Sequence, residues 1–213
     1  MQFRHRAVAA AAAVGFAATA GLLVAPSAQA AEPGTKSLAS ILLKDTTKEG
    51  NPSFDKNGDD FDILTAAVLA VLGDDPSSPV SVLTDGSVKL TAFLPTDRAF
   101  EKTGKDLGLT AKSEEKLVGK YADALGLAGI ETVLLYHVIP GAKINAKMAA
   151  ESDGAVLGTA NKQTIEVNVT KDGIFLKDKA TDQANPKVIV TDINKGNLQI
   201  AHAINRVLVP VLA

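Results

Sequence analysis

The chain has 213 residues, of which 46% are hydrophobic and 22% charged, so it is long enough and apolar enough to bury a core of its own. Its 24 acidic and 22 basic residues give a formal net charge of −2, which argues against nucleic acid as a partner. It contains no Cys, which excludes disulfides, lipidation at a cysteine and zinc sites with cysteine ligands.

The first thirty residues have the pattern of a secretory signal peptide. Arg4 and Arg6 precede an almost uninterrupted apolar run over residues 7–25, and the small-residue tripeptide Ala28-Gln29-Ala30 follows. We therefore predict that residues 1–30 are removed by cleavage after Ala30 and that the protein is secreted to the extracellular space. The alternative is that this run is retained as a membrane anchor.

Cleavage would change the charge and the hydropathy of the chain. Loss of the two N-terminal arginines lowers the formal net charge from −2 to −4, which further disfavours nucleic acid. No second apolar run reaches the length of a membrane span, so we expect no transmembrane anchor in the mature protein.

A short linker rich in Pro and Gly over residues 31–36 is expected to precede a single domain over residues 37–213. Ser37 can cap a first helix that runs to Leu43, because its side chain can accept a backbone N–H. A second helix is predicted to begin at Asp59 or Asp60 and to end at Gly73. Its apolar residues recur at helical spacing and need a core to cover them, namely Ile63, Leu64, Ala67, Val68 and Val71.

A hairpin is predicted next, with its bend at Asp85-Gly86 between residues 80–83 and 88–94. The second of these segments alternates, with Leu90, Ala92 and Leu94 on one side and Lys89, Thr91 and Phe93 on the other. The strand should stop at Pro95, which cannot donate to a ladder, and Thr96 or Asp97 should then cap a helix.

Two further helices are predicted in the middle of the chain. Ser113, followed by two acidic residues, marks a helix start, and this helix should run to Leu125 or Gly126. The next helix should end near His137, because Pro140 cannot continue it and Gly141 supplies the turn.

The second half of the chain changes to strands. Residues 164–169 alternate, residues 171–173 form a turn into residues 174–176, and residues 188–193 and 204–209 complete the set. Since helices dominate the first half and strands the second, the fold class is expected to be segregated α+β with no alternating βαβ units.

Three strings in this order resemble the signature boxes of the fasciclin domain family. The first runs from Thr91 to Phe100, the second from Leu134 to Gly141, and the third joins Asp192-Ile193 through a Gly turn to His202 and a final Pro. The resemblance covers about residues 37–210. It rests on these motif residues: Pro95, Thr96, Phe100, Pro140, Gly141, Gly196, His202 and Pro210.

The resemblance implies a wedge of two β-sheets flanked by several α-helices, the helices lying mostly in the N-terminal half. It also implies a role in cell adhesion, with an extracellular or cell-surface protein or a matrix component as partner. In animal members the second box and the Asp-Ile pair are linked to integrin binding. The corresponding partner-binding candidates here are Tyr136, His137, Asp192 and Ile193.

The two histidines that remain after residue 30 lie in apolar surroundings, which favours a structural role with the ring nitrogens bonded inside the fold. The alternative is a receptor contact or a metal ligand. His137 falls on the apolar stripe of its helix, three residues after Leu134, and this favours burial.

The string from Asp55 to Asp60 resembles the start of a calcium-binding loop. With Asp55 as the first ligand, the sixth position is Asp60 where Gly is needed, and the twelfth is Ala66 where Glu is needed. The sequence therefore predicts a turn before a helix, and no metal site.

Catalytic motifs are lacking as well. The chain has no G-x-S-x-G nucleophile elbow and no phosphate-binding Gly loop with its Lys. We therefore expect a non-enzymatic interaction module without a cofactor. The alternative is an extracellular carrier of a small apolar ligand, such as a lipid, a pigment or haem, in a cleft lined by residues such as Phe93, Leu135 and Val138.

Overall fold

The computed structural model describes residues 32–47 and 49–212, so the predicted signal peptide lies outside the described residues. The α-helices are α1 (Ala39–Leu42), α2 (Asp62–Asp74), α3 (Asp97–Asp106), α4 (Glu114–Tyr136) and α5 (Ala146–Ala150), with a 3₁₀-helix at Pro79–Leu83. The strands are β1 (Leu90–Pro95), β2 (Val138–Pro140), β3 (Val156–Gly158), β4 (Thr164–Thr170), β5 (Gly173–Lys177), β6 (Val188–Ile193) and β7 (Gln199–Ile204).

The larger sheet has four strands in the order β2-β1-β7-β6. Its central pair, β1 and β7, is parallel, with Leu90 opposite Gln199 and Pro95 opposite Ile204. Every residue of both strands is buried, because the sheet is covered on its two faces. The smaller sheet has the order β3-β4-β5 and is antiparallel throughout.

The alternation predicted for β1 is confirmed by its two faces. Leu90, Ala92 and Leu94 belong to the apolar cluster formed with the helices. Phe93 points the other way, into a second cluster shared with Ile165 and other residues of the smaller sheet. The helices, the four-stranded sheet and the three-stranded sheet thus pack in sequence, and the expected α+β architecture of two β-sheets flanked by helices is confirmed.

The predicted start of α2 at Asp59 or Asp60 is wrong. The helix begins at Asp62, and its first N–H groups are capped by a residue far along the chain. The carboxylate of Asp97 accepts from the N–H of Asp62 at 3.0 Å and from that of Ile63 at 2.9 Å. Asp97 thus caps α2. Thr96 caps the helix that follows it, α3, by accepting the N–H of Ala99, so the first of the two predicted caps for this helix is confirmed.

The predicted hairpin around Asp85-Gly86 is also wrong. Its first arm is the 3₁₀-helix, which Pro79 starts and Ser78 caps by accepting the N–H of Val80. The loop that follows is held by the buried side chain of Gln199, whose Nε2 donates to the carbonyls of Val82 and Asp85 at 2.8 Å each. The segment therefore packs onto the end of β7 instead of pairing with β1.

The helix α4 starts as predicted, with Ser113 accepting from the N–H of Lys116. It is interrupted at Gly126, where φ is 64° and ψ is 172°, so the predicted break at this residue is confirmed. It ends at Tyr136 with His137 as its C-cap, so the predicted end near His137 is confirmed, and Pro140 closes the short strand β2. The last strand also differs, because residues 199–204 and not 204–209 form β7.

Candidate functional site

Two of the four predicted partner-binding residues have their side chains inside the fold. Tyr136 has no exposed surface, and its hydroxyl donates to the carbonyl of Thr164 at 2.9 Å. Burial raises the pKa of this hydroxyl to about 12, so it stays protonated and remains a donor. The tyrosine thus joins the end of α4 to the smaller sheet.

His137 is buried beside it, and both of its ring nitrogens are bonded to the backbone. Nε2 lies 2.9 Å from the N–H of Leu208 and must accept from it, so Nδ1 carries the proton and donates to the carbonyl of Val133 at 2.7 Å. Burial lowers the pKa of His137 to about 4, which fixes the neutral ring. The side chain links α4 to the segment after β7.

His202 is bonded in the same way on the central strand β7. Its Nε2–H donates to the carbonyl of Ile144 at 2.8 Å, and Nδ1 accepts the N–H of Asp192 at 3.4 Å. Burial lowers the pKa of this ring too. His202 therefore supports the backbone of Asp192, the third predicted partner-binding residue.

Asp192 is half-buried and has an uncommon backbone conformation, with φ at 62°. Its Oδ1 accepts the N–H of Ala146 at 2.7 Å, and its Oδ2 pairs with Lys195 at 3.0 Å, so the carboxylate holds the start of α5. Desolvation opposes its ionisation, but the bonds from Lys195 and Ala146 hold the pKa of Asp192 below its usual value. Ile193, the fourth residue, is half-buried against the cluster beneath the helices.

The three residues just before Asp192 are more exposed to solvent than any of the four predicted partner-binding residues. Ile189 is 46% exposed and Val190 is 51% exposed, and Thr191 next to them is exposed as well. They lie on β6, the last strand in the order of the larger sheet. We call Ile189, Val190 and Thr191, together with Asp192, the β6 edge.

Two irregularities shape this edge. The pairing of β6 with β7 shifts register between Val188 and Val190 and again between Val190 and Ile193. Such bulges bend a strand and increase its twist, which limits indiscriminate pairing with other sheets. The β6 edge therefore presents a short apolar strip next to a fixed carboxylate.

A cavity of about 210 Å³ lies elsewhere, between the helices and the segment that follows β7. Its walls are almost wholly apolar and come from α2, α3, α4 and that segment, including Ile63, Leu64, Phe100, Tyr121, Leu134 and Val207. Phe93, Leu135 and Val138, the residues predicted for an apolar cleft, do not line it. They are packed into the two apolar clusters instead.

The remaining motif residues support local structure. Pro95 and Pro210 line the cavity, and Phe100 packs edge-on against Tyr121 with 5.6 Å between ring centroids. Gly141 follows β2 with φ at 73°, and Gly196 turns the chain between β6 and β7 with φ at 92°. Both conformations favour glycine.

Carboxylates that could hold a metal ion gather in another place, at the starts of α2, α3 and α4. Burial, with the charges of Asp62, Asp60 and Asp55, raises the pKa of Glu114 to about 7. Burial and the adjoining Asp60 carboxyl likewise raise the pKa of Asp97 well above its usual value. Sequence reasoning considered only the local string from Asp55 to Asp60 and did not bring in these distant acids.

A family model described as the fasciclin domain matches residues 76–210. The chain belongs to the fasciclin domain family. The helices α1 and α2 lie before the matched residues and pack into the same apolar cluster as β1 and α4. Fasciclin domains are interaction modules, generally without enzymatic activity and typically extracellular.

Among solved structures, this fasciclin domain is similar to a FAS1 domain pair from the insect cell adhesion molecule fasciclin I. The identity is 18% and the TM-score 0.47, over 70% of this chain and 46% of the domain pair, so the chain spans about half the length of that structure. A comparison with curated proteins finds no match. Within residues 32–47 and 49–212, no helix is both long and apolar enough to cross a membrane.

Proposed function

We propose that the protein is a secreted adhesion module whose β6 edge binds an extracellular or cell-surface protein or a matrix component. The observation that carries this proposal is the exposure of Ile189 and Val190 on the last strand of the larger sheet. Large apolar side chains that remain exposed next to each other are characteristic of interaction surfaces. The family membership supports the same class of function.

The mode of binding follows from the position of the strand. The outer side of a terminal strand carries N–H and C=O groups that a partner strand can pair with. Val190 and Ile189 would supply apolar contact, and the carboxylate of Asp192, whose side chain is 17% exposed, would supply polar specificity. A patch of this size implies a modest contact with a few dominant side chains.

Tyr136 and His137 have a different role in this proposal from that of Asp192. Because both side chains are buried and bonded to the backbone, they position the sheets and do not touch the partner. A substitution at either residue would then weaken binding only through loss of stability. Of the four candidates, Asp192 is then the one that belongs to the β6 edge.

The test is binding of the purified protein to matrix and cell-surface extracts, with Val190→Lys compared with Val156→Lys. Val156 is 64% exposed and lies on β3, an edge strand of the other sheet, so it is a matched control. We expect Val190→Lys to lose at least about tenfold in affinity, equal to about 1.4 kcal/mol, and Val156→Lys to bind as the wild type does. Equal binding by all three proteins would rule out the β6 edge.

Secretion is part of the proposal and has its own test. The apolar run over residues 7–25 and the tripeptide Ala28-Gln29-Ala30 support export and cleavage after Ala30, leaving residues 31–36 as a linker before a domain over residues 37–213. The intact mass of the exported protein should correspond to a chain that starts at Ala31. A mass corresponding to a start at Met1 contradicts this part of the proposal.

The cavity supports a second candidate function, the carrying of a small apolar ligand. A dry cavity of about 150 Å³ can bind a molecule of the size of benzene, so a cavity of about 210 Å³ suits a compact apolar molecule. Native mass spectrometry of the protein purified without denaturant would reveal such a ligand. Ala122→Leu should reduce its occupancy, because Ala122 lines the cavity, whereas Ala124→Leu on the exposed side of α4 should not.

A further inference from the structure

The starts of three helices bring acidic side chains together, although these residues are far apart in the chain. Asp62 is the first residue of α2, Asp97 of α3 and Glu114 of α4, and Asp55 and Asp60 come from the loop that leads into α2. Helix N-termini favour negative charge, so part of this grouping is explained by the helices themselves.

The carboxylates are close enough to share one ion. Oxygen atoms of Asp55, Asp62 and Glu114 all lie within 4.8 Å of one another. The same holds for Asp45, Asp55 and Asp60, and for Asp60, Asp62 and Asp97. Asp55 and Asp62 are therefore each close to Asp60 in one group and close to Glu114 in another.

In the part of the chain that the structure describes, the positive side chains that form ion pairs do so elsewhere. Arg98 lies next to Asp97 in sequence, but its guanidinium pairs with Asp59 at 2.6 Å on the surface. Within the described ranges, none of the ion pairs includes Asp55, Asp60, Asp62, Asp97 or Glu114. Among the described residues, this group of carboxyl groups has no cationic side chain paired with it.

Hydrogen bonds satisfy some of these oxygens but leave others bare. Both oxygens of Asp97 accept N–H groups of α2, and Asp62 Oδ2 accepts the N–H of Asp55 at 3.4 Å. Glu114 is only 7% exposed, yet its buried Oε2 has no hydrogen-bond partner, and neither do the two buried oxygens of Asp60.

Buried carboxylate oxygens without a partner are costly, and helix dipoles do not replace the missing bonds. Glu114 forms one of these groups with Asp55 and Asp62, so a cation among these three carboxylates would give the buried Glu114 carboxylate a partner. Asp55 and Asp45 are exposed, which leaves this cluster open to ions from solvent.

We propose that Asp55, Asp62 and Glu114 bind one calcium ion. Oxygen ligands select a hard cation. Calcium binds oxygen at about 2.3–2.6 Å, so two of its ligands are at most about 5 Å apart, which matches this group, and it accepts irregular arrangements of carboxylates. Magnesium requires shorter bonds and a near-ideal octahedron, which a loop and two helix starts do not supply.

The ion would connect the loop before α2 to the start of α4. The local string from Asp55 to Asp60 fails as a calcium loop by itself, and the distant Glu114 supplies the buried carboxylate that the string lacks. This site is independent of the β6 edge, so its test does not depend on the adhesion proposal.

The test is isothermal titration of the purified, chelator-treated protein with calcium chloride and, separately, with magnesium chloride. We expect one calcium ion per chain, weaker binding of magnesium, and a calcium-dependent rise in the melting temperature. Glu114→Gln should weaken calcium binding at least about tenfold. Glu115→Gln, which removes one charge from the exposed neighbouring residue, should not.

Asp55→Asn serves as a second variant should Glu114→Gln fail to fold, because Asp55 is exposed. It too should weaken calcium binding. Absence of calcium binding by the wild type at millimolar concentrations would overturn the proposal, and would indicate that the buried carboxyls share protons instead. Equal calcium affinities of Glu114→Gln and Glu115→Gln, both folded, would overturn it as well.

Discussion

The N–H of Leu208 donates a hydrogen bond of 2.9 Å to Nε2 of His137, across 71 positions of the chain. Since Nδ1 of the same ring donates to the carbonyl of Val133, the imidazole bridges two backbone segments only when it is neutral. The ring therefore connects α4 to the end of the domain in a way that depends on pH.

Acid should weaken the fold through His137. Its pKa is lowered from 6.5 to about 4 in the folded protein, so the unfolded chain binds the proton more tightly, and the free energy of unfolding should fall as the pH drops from 6.5 toward 4. The full effect is about 3 kcal/mol. Urea unfolding at pH 7.5 and pH 4.5 measures it.

His137→Gln is the comparison for this prediction, because it removes the titrating group and leaves the other acids and bases in place. The loss of stability between the two pH values should be about 2 kcal/mol smaller in the variant than in the wild type. The same loss in both proteins would show that His137 does not titrate in this way.

Asp192 should contribute to stability through the start of α5. Asp192→Ala removes the bonds to Ala146 and Lys195 and leaves a β-carbon at φ 62°, so we expect it to lower the free energy of unfolding by about 1–2 kcal/mol. Asp192→Asn keeps an acceptor for Ala146 and tolerates this conformation, and should cost less than about 1 kcal/mol. Chemical denaturation of the two variants would separate these values, and equal losses would contradict the capping role.

Gly86 should not accept any side chain. A β-carbon at this position would lie 1.7 Å from the carbonyl oxygen of Thr35 and 2.8 Å from the N–H nitrogen of Ser37. Because both are backbone atoms, Gly86→Ala should displace the segment before α1 and cost about 1–3 kcal/mol or more.

Gly119 in α4 is the matched control for Gly86, since a β-carbon there has no heavy atom within 4 Å. Gly119→Ala should raise the free energy of unfolding by about 0.5–1 kcal/mol, as alanine favours the helix. Thermal unfolding of the two variants should therefore shift in opposite directions. A neutral Gly86→Ala would mean that the segment before α1 is not packed as described.

The parts of the fold that could be predicted from the sequence are those set by nearby residues. The two faces of β1, the cap at Thr96 and the break at Gly126 each follow from a local pattern. The start of α2 could not be predicted, because its cap comes from Asp97, 35 residues later. Nor could the position of β7, since a strand buried on both faces lacks the alternation that marks a half-exposed strand.

The candidate sites could be predicted only in part for the same reason. The family motif indicates Asp192 and Ile193 directly. The exposure of Ile189 and Val190 could not be predicted, because it depends on which strand lies at the edge of the larger sheet. In the acidic cluster, Glu114 reaches Asp55 only because α2 and α4 begin side by side.

The parallel pairing of β1 with β7 also determines when the polypeptide can fold. Leu90 pairs with Gln199 and Pro95 pairs with Ile204. This central strand pair therefore cannot form before the ribosome has synthesised β7. Contacts between such distant positions form slowly, because a long loop must close first. An incomplete nascent chain thus lacks the partner of β1, and the larger sheet cannot be completed until β7 has been made.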